Sequence, residues 1–91
     1  MRIDRFLWFA RLSATRAFAQ KLAAGGHLRV DGRRIEKASA IIRVGDVLTF
    51  ATHRGIVRVV RVEALPERRG SPTVARTCYT ELTIDGAARE T

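Results

Sequence analysis

The sequence predicts an α+β fold in which two short N-terminal helices pack on a small antiparallel β-sheet. Hydrophobic residues recur at helical spacing until Gly25-Gly26, and beyond these glycines the pattern changes to short alternating runs separated by turns. A chain of 91 residues with 46% hydrophobic residues is long enough for one domain with one core.

The first helix is predicted from Ile3, Leu7 and Ala10, which recur at helical spacing. Asp4 precedes most of this run and is expected to cap a helix that ends near Arg11 or Leu12. Phe6, Trp8 and Phe9 make the helix apolar on more than one side, so most are expected in the core. One exposed aromatic ring of this helix could stack on a base.

The second helix is predicted to follow the polar break Ser13-Ala14-Thr15, with Ser13 or Thr15 as its cap and Gly25-Gly26 at its end. Its buried side is expected to be apolar, with the residues Phe18, Ala19, Leu22 and Ala23. Its polar side is basic and carries Arg16, Gln20 and Lys21.

The remaining elements are predicted strands. Asp31-Gly32 between two short alternating runs indicates a tight hairpin, because both residues tolerate positive φ. Further turns at 44–46 and 54–55 precede strands that begin at Val47 and Ile56. We expect one domain over 1–84, with a core motif over 2–50, extra strands at 56–65 and 77–83, a loop at 67–72 and a frayed tail at 85–91.

The charge of the chain points to a polyanionic partner. Seventeen Lys and Arg stand against nine Asp and Glu, for a formal charge of +8, and most of the cations are Arg. Arg offers a planar fork of donors that suits phosphates and base edges, so nucleic acid is the first partner to consider.

No catalytic or metal-binding pattern is present in the sequence. His27 and His53 lie near turns without a nucleophile, and Gly25-Gly26 lacks the rest of a nucleotide-binding fingerprint. The single Cys78 has no partner for a disulfide, which fits a reducing cytoplasm. We therefore expect no enzyme, cofactor, metal, membrane contact or small-molecule substrate.

Cations are concentrated in the first part of the chain, where two short helices could present them to phosphates and sugar hydroxyls. This spacing favours RNA, and leaves DNA and an acidic protein surface as alternatives. In the DNA alternative, the second helix would enter a major groove as in a helix-turn-helix protein.

Five motifs in order resemble a known family: Arg2–Leu7, Thr15–Ala19, Gly26–Gly32, Lys37–Ser39 and Val44–Leu48. Together they are similar to the S4 RNA-binding domain, named after small-subunit ribosomal protein four. Two positions depart from the family pattern, since Asp31 stands where the turn usually has Asn and Ala38 replaces a frequent Pro. The Trp8 helix, the strand near 56–65 and the Tyr79 region resemble the stand-alone branch of the family, which includes heat-shock protein fifteen and shorter quality-control factors.

The resemblance implies an αL-type RNA-binding motif that binds ribosomal RNA of the large subunit, on obstructed subunits that still carry peptidyl-tRNA. The long basic C-terminal extension of heat-shock protein fifteen is not seen in these residues, so the short quality-control members are resembled at least as well. Arg2 and Arg16 are the foremost RNA-facing candidates, within a set carried over from the family: Arg2, Arg11, Thr15, Arg16, Gln20 and Lys21. Three further cations could extend the footprint along the hairpin: Arg5, Arg29 and Lys37. An accessory module that works beside a separate RNA-modifying enzyme is the alternative within this family, and a monomer is expected.

Overall fold

The structure is a computed structural model that describes residues 1–52 and 54–82. His53, the end of the strand expected at 77–83 and the tail expected at 85–91 lie outside the described residues. The described residues form, in order, α1 (Ile3–Phe9), α2 (Arg16–Ala24), β1 (Leu28–Val30), β2 (Arg33–Ile35), β3 (Val47–Ala51), β4 (Val57–Val62), α3 (Pro72–Arg76) and β5 (Tyr79–Glu81). All strand pairs are antiparallel in one five-stranded sheet of order β2-β1-β3-β4-β5, which confirms the predicted α+β class.

The core lies between α1, α2 and one face of the sheet. Alternate residues of the three central strands point into it, and Phe50 of β3 is among its largest fully buried side chains. Ile3, Phe6 and Leu7 of α1 close the other side with Ala19, Leu22 and Ala23 of α2. Phe18, predicted in the buried stripe, is half-buried and packs at the margin.

The start of α1 differs from the sequence prediction. The N-cap is Arg2, without a side-chain cap, because the N–H groups of Ile3 and Asp4 donate to the carbonyls of Ala40 (2.8 Å) and Ala38 (3.3 Å). The expectation that Asp4 caps the helix was therefore wrong: these donors already have backbone partners. Asp4 lies in the first turn, where its carboxylate accepts from the backbone N–H of Arg5 at 2.8 Å.

The end of α1 also comes earlier than predicted. The helix stops at Phe9, and Arg11 adopts a φ of 58°, which a continuing helix does not allow. The N–H groups of Leu12 and Ser13 then both donate to the carbonyl of Leu7, at 2.9 and 3.0 Å. This tight reversal turns the chain toward α2 two residues before the predicted end.

The cap of α2 and the β1–β2 hairpin agree with the sequence. Thr15, one of the two caps considered, accepts the N–H of Phe18 on its hydroxyl oxygen at 3.0 Å, and the helix ends at Ala24 with Gly25 as its C-cap. At the hairpin, Asp31 and Gly32 have φ values of 51° and 86°, as an Asp-Gly turn requires. The Asp31 carboxylate also accepts the N–H of Val47 at 2.9 Å, which joins the hairpin to β3.

The C-terminal part contains a helix that the sequence reading missed. β4 and β5 are shorter than the strands predicted there, and α3 occupies part of the interval between them. Ser71 accepts the N–H of Val74 at 3.3 Å and Pro72 is the first helical residue. Ser followed by Pro is a start signal for a helix, but a five-residue helix offers too little periodicity to reveal itself.

Substitution of Asp31 tests the link between the hairpin and β3. We expect Asp31→Asn to be nearly neutral, since an amide oxygen can accept the Val47 N–H and Asn tolerates positive φ. Asp31→Ala removes the same charge but loses both features, and should cost about 1–2 kcal/mol more. Urea unfolding of the two variants measures this difference, and equal losses would contradict the assigned role.

Candidate nucleic-acid interface

A shallow cleft between α1 and α2 brings several predicted site residues together. Arg5 and Trp8 of α1 face Arg16 and Gln20 of α2 across it, and Asp4 completes the lining. Arg5, Arg16 and Gln20 are exposed. Because Arg16 and Gln20 are four residues apart on one helix, they share a face, as the sequence predicted.

Two arginine guanidinium groups lie against the indole ring of Trp8. The Arg16 guanidinium carbon lies 5.5 Å from the ring centroid and that of Arg69 lies 5.0 Å from it, both within cation–π range. The Nε of Arg69 is buried and has no hydrogen-bond partner among the described residues. The aromatic floor of the cleft is thus flanked by positive charge, one part of which comes from the segment before α3.

Arg69 was missed by the sequence reading. It reaches Trp8 across 61 positions of the chain, and only the tertiary fold brings the two side chains together. Its neighbours Arg68 and Glu67 gave that segment the composition of a solvated loop. No local pattern could have distinguished Arg69 from Arg68.

Arg2 lies at the edge of the cleft and is held by Asp4. Its Nε and Nη2 donate to the two carboxylate oxygens of Asp4 at 3.1 and 3.0 Å. Asp4 is 6% exposed whereas the Arg2 side chain is 45% exposed, so the pair is anchored on the carboxylate side and open on the guanidinium side. Arg2 is therefore oriented for a phosphate but partly neutralised.

Thr15 lies at the start of α2, and Lys37 precedes the residues that pair with the start of α1. The Thr15 hydroxyl oxygen is used as the α2 cap, which leaves its hydrogen as a donor. Lys37 is exposed, and the neighbouring Ala38 carbonyl accepts from Asp4 at the start of α1. Thr15 and Lys37 therefore lie beside the starts of α2 and α1.

Of the nine predicted residues, three line the cleft itself: Arg5, Arg16 and Gln20. Three others lie well away from it. Arg11 lines a separate pocket with Arg58 and Arg76, whereas Lys21 lines an apolar groove on the far side of α2. Arg29 alternates with the buried Leu28 and Val30, so it belongs to the sheet face that points away from the helices. These residues would contact an RNA only if it extends well beyond the cleft.

The cleft offers ligands for a polyanion. Its lining combines two arginines, an amide and an aromatic ring, a set that fits phosphate oxygens and sugar hydroxyls, with the Asp4 carboxylate, which is paired with Arg2. Within residues 1–52 and 54–82, no group of three or more His, Cys, Asp and Glu side chains could hold a metal ion. None of the helices in that part of the chain has the length and apolar character needed to cross a bilayer.

Comparison with known proteins identifies relatives of this chain. The sequence profile of the S4 domain matches residues 1–48, which contain the whole cleft between α1 and α2. Heat shock protein 15 of Escherichia coli K12 is 33% identical over 90 residues, covering 99% of this chain and 66% of its own length. The small ribosomal subunit protein uS4 of Limosilactobacillus fermentum is 31% identical over 86 residues, covering 92% of this chain and 39% of its own length.

A solved structure shows the same fold. The trimeric structure of Vibrio cholerae Heat Shock Protein 15 superposes with a TM-score of 0.82 at 26% sequence identity, covering 98% of this chain and 87% of that one. The chain spans slightly less than two thirds of the length of the curated Heat shock protein 15 relatives it matches. The profile match, the two groups of relatives and the shared fold confirm the resemblance drawn from the motifs, which implies RNA binding, and the chain belongs to the S4 domain family.

Proposed function

We propose that the chain is a non-enzymatic factor that binds ribosomal RNA of the large subunit through the α1–α2 cleft. Its targets in this proposal are obstructed subunits that still carry peptidyl-tRNA. The observation that carries the proposal is the convergence of Arg5, Arg16 and Gln20 beside Trp8, within the residues that match the S4 domain. The implied location is the cytoplasm.

The choice of the large subunit rests on the relatives. Similarity to Heat shock protein 15 runs over 99% of this chain, past the S4 match that ends at residue 48, and takes in 66% of the relative. The uS4 match covers 92% of this chain as well, but it takes in only 39% of that protein. The resemblance to the stand-alone branch therefore supports large-subunit RNA, and binding to the small subunit is the competing outcome.

Recognition would combine electrostatic attraction with contacts that favour RNA. Exposed arginines of the cleft neutralise backbone phosphates and release counterions, which supplies affinity without sequence readout. The Gln20 amide and the Thr15 hydroxyl hydrogen can bond sugar 2′-hydroxyls, which DNA lacks. The contacts to 2′-hydroxyls favour folded RNA over a DNA duplex.

Sedimentation of a lysate tests the proposal directly. Tagged protein is followed through a sucrose gradient, with and without drug-stalled translation, and each fraction is probed for peptidyl-tRNA. The proposal expects the protein on free large subunits that carry peptidyl-tRNA. Protein on small subunits, at the top of the gradient, or with an RNA-modifying enzyme would contradict it.

Arg16→Ala should weaken binding to isolated large subunits by roughly tenfold to a hundredfold, the worth of a charge-assisted contact of about 1.5–3 kcal/mol. The fold should survive, because the Arg16 side chain is exposed. Arg61→Ala is the control: it removes the same formal charge from the sheet face that points away from the helices, where Arg61 pairs with Glu63 at 2.9 Å. Equal loss in both variants would show that only net charge matters.

The salt dependence of binding should report the number of phosphate contacts. For each contact, the log of the association constant falls with the log of salt concentration by about 0.7–0.9. Wild type should show a steep slope and Arg16→Ala a slope shallower by about one contact, whereas Arg61→Ala should keep the wild-type slope. A flat response in wild type would argue against phosphate binding.

Trp8 is the single tryptophan of the chain, so its fluorescence reports on the cleft. Iodide should quench it efficiently, since two guanidinium groups attract an anion to the indole. Bound RNA covers the cleft and repels iodide, so the quenching constant should fall on titration with large-subunit RNA. Neutral acrylamide serves as the control, and unchanged iodide quenching at RNA saturation would place the RNA elsewhere.

The oligomeric state stays a prediction. A monomer is predicted because the sequence shows no apolar stripe that demands a partner, whereas the related Vibrio cholerae protein was solved as a trimer. Analytical ultracentrifugation of the purified chain separates the two states.

A further inference from the structure

A second basic pocket lies where the end of α1 meets α3 and the last two strands. It has a volume of about 370 Å³, and its charged and aromatic lining consists of Arg11, Arg58, Arg76 and Tyr79. None of its lining residues is acidic. Except for Ala10 and Arg11, the lining residues lie beyond residue 48, outside the match to the S4 domain.

Arg11 is fixed in this pocket by an unusual backbone. Its φ of 58° belongs to the left-handed region, which residues other than Gly, Asn and Asp seldom adopt. Its Nε donates to the carbonyl of Gly70 at 2.7 Å, which ties the corner after α1 to the segment before α3. Backbone strain of this kind persists where the surrounding structure demands it and is concentrated at functional sites.

The positive charge of the pocket is incompletely balanced. Arg58 pairs with the Glu81 carboxylate, whose hydrogen bond raises the pKa of Arg58, and its guanidinium lies 5.8 Å from the Tyr79 ring centroid. Arg11 and Arg76 form no ion pair with any described residue. Two guanidinium groups that have no ion pair among the described residues therefore line a cavity of the size that small ligands occupy.

The pocket adjoins the cleft through consecutive residues. Arg69 lies against Trp8, which lines the cleft, and the carbonyl of Gly70 accepts from Arg11, which lines the pocket. An RNA strand that leaves the cleft over Arg69 would therefore meet the pocket next. The side chains there complement the parts of a nucleotide: guanidinium groups bind the phosphate, and an aromatic ring can stack on the base.

We propose that this pocket binds a phosphate of a single-stranded RNA segment that continues from the folded RNA held in the α1–α2 cleft, with Tyr79 beside the adjoining base. The inference rests on RNA binding by the proposed function, but it does not depend on which ribosomal subunit supplies the RNA. In this proposal α3 and β5 take part in RNA binding.

Two RNAs test this site with the whole chain. One is a ribosomal RNA hairpin, taken in turn from the large and the small subunit, and the other is the same hairpin with a single-stranded tail of about ten nucleotides, attached to either end in separate experiments. Wild type should bind one tailed hairpin about tenfold more tightly than the blunt one. Arg76→Gln should abolish this advantage and leave blunt-hairpin binding unchanged, whereas the control Arg68→Gln should keep the advantage.

The aromatic signals give an independent reading, because Tyr79 is the single tyrosine of the chain. Its ring resonances should shift with the tailed hairpin and stay in place with the blunt one. An equal tail advantage in wild type and Arg76→Gln would overturn the pocket, as would Tyr79 shifts produced by inorganic phosphate but not by the tail. Arg16→Ala distinguishes a failure of the pocket from a failure of the proposed function. If this variant no longer binds the blunt hairpin, but the tail does not strengthen binding by wild type, the pocket proposal is refuted and the proposed function stands.

Discussion

Residues 1–4 run alongside residues 38–42 as a short strand-like pair, and the position of α1 depends on this pairing. The N–H of Ile42 donates to the carbonyl of Met1 at 2.8 Å, Arg2 forms a bridge with Ile41, and the first helical N–H groups donate to Ala38 and Ala40. A helix of seven residues is too short to persist alone, so tertiary contacts must hold it. The same pairing places Arg2, Asp4 and the Lys37 segment together at the start of the helix pair.

Asp4 links this scaffold to the charge of the interface. A buried carboxylate is costly unless it is paired and hydrogen-bonded, and Asp4 has both the Arg2 guanidinium and the N–H of Arg5. The pair orients Arg2 at the edge of the cleft, while Arg5 and Arg16 remain exposed inside it. The fold thus brings Arg2, Arg5 and Arg16 to one face, and the Asp4 carboxylate fixes the position of Arg2.

Local chemistry decided which features the sequence could predict. Thr15 and Asp31-Gly32 were found because a cap and a tight turn depend on adjacent residues. The predicted Asp4 cap was wrong because the start of α1 is capped by carbonyls 34 or more positions away in the chain. The helix α3 was missed because its five residues are too few to show a helical period. Within the interface, the Arg16 and Gln20 face followed from helical spacing, whereas Arg69 on Trp8 required the tertiary fold.

Cross-linking tests most directly whether the α1–α2 face is the one that meets large-subunit RNA. A photo-reactive amino acid is placed at Gln20, on the cleft, and in a second protein at Thr49, which pairs with Arg29 and Val59 in the sheet and points away from the helices. Each protein is irradiated with a mixture of isolated large and small ribosomal subunits. The account predicts cross-links to large-subunit ribosomal RNA from position 20 and few from position 49. Cross-links mainly from position 49, or mainly to small-subunit RNA, would contradict it.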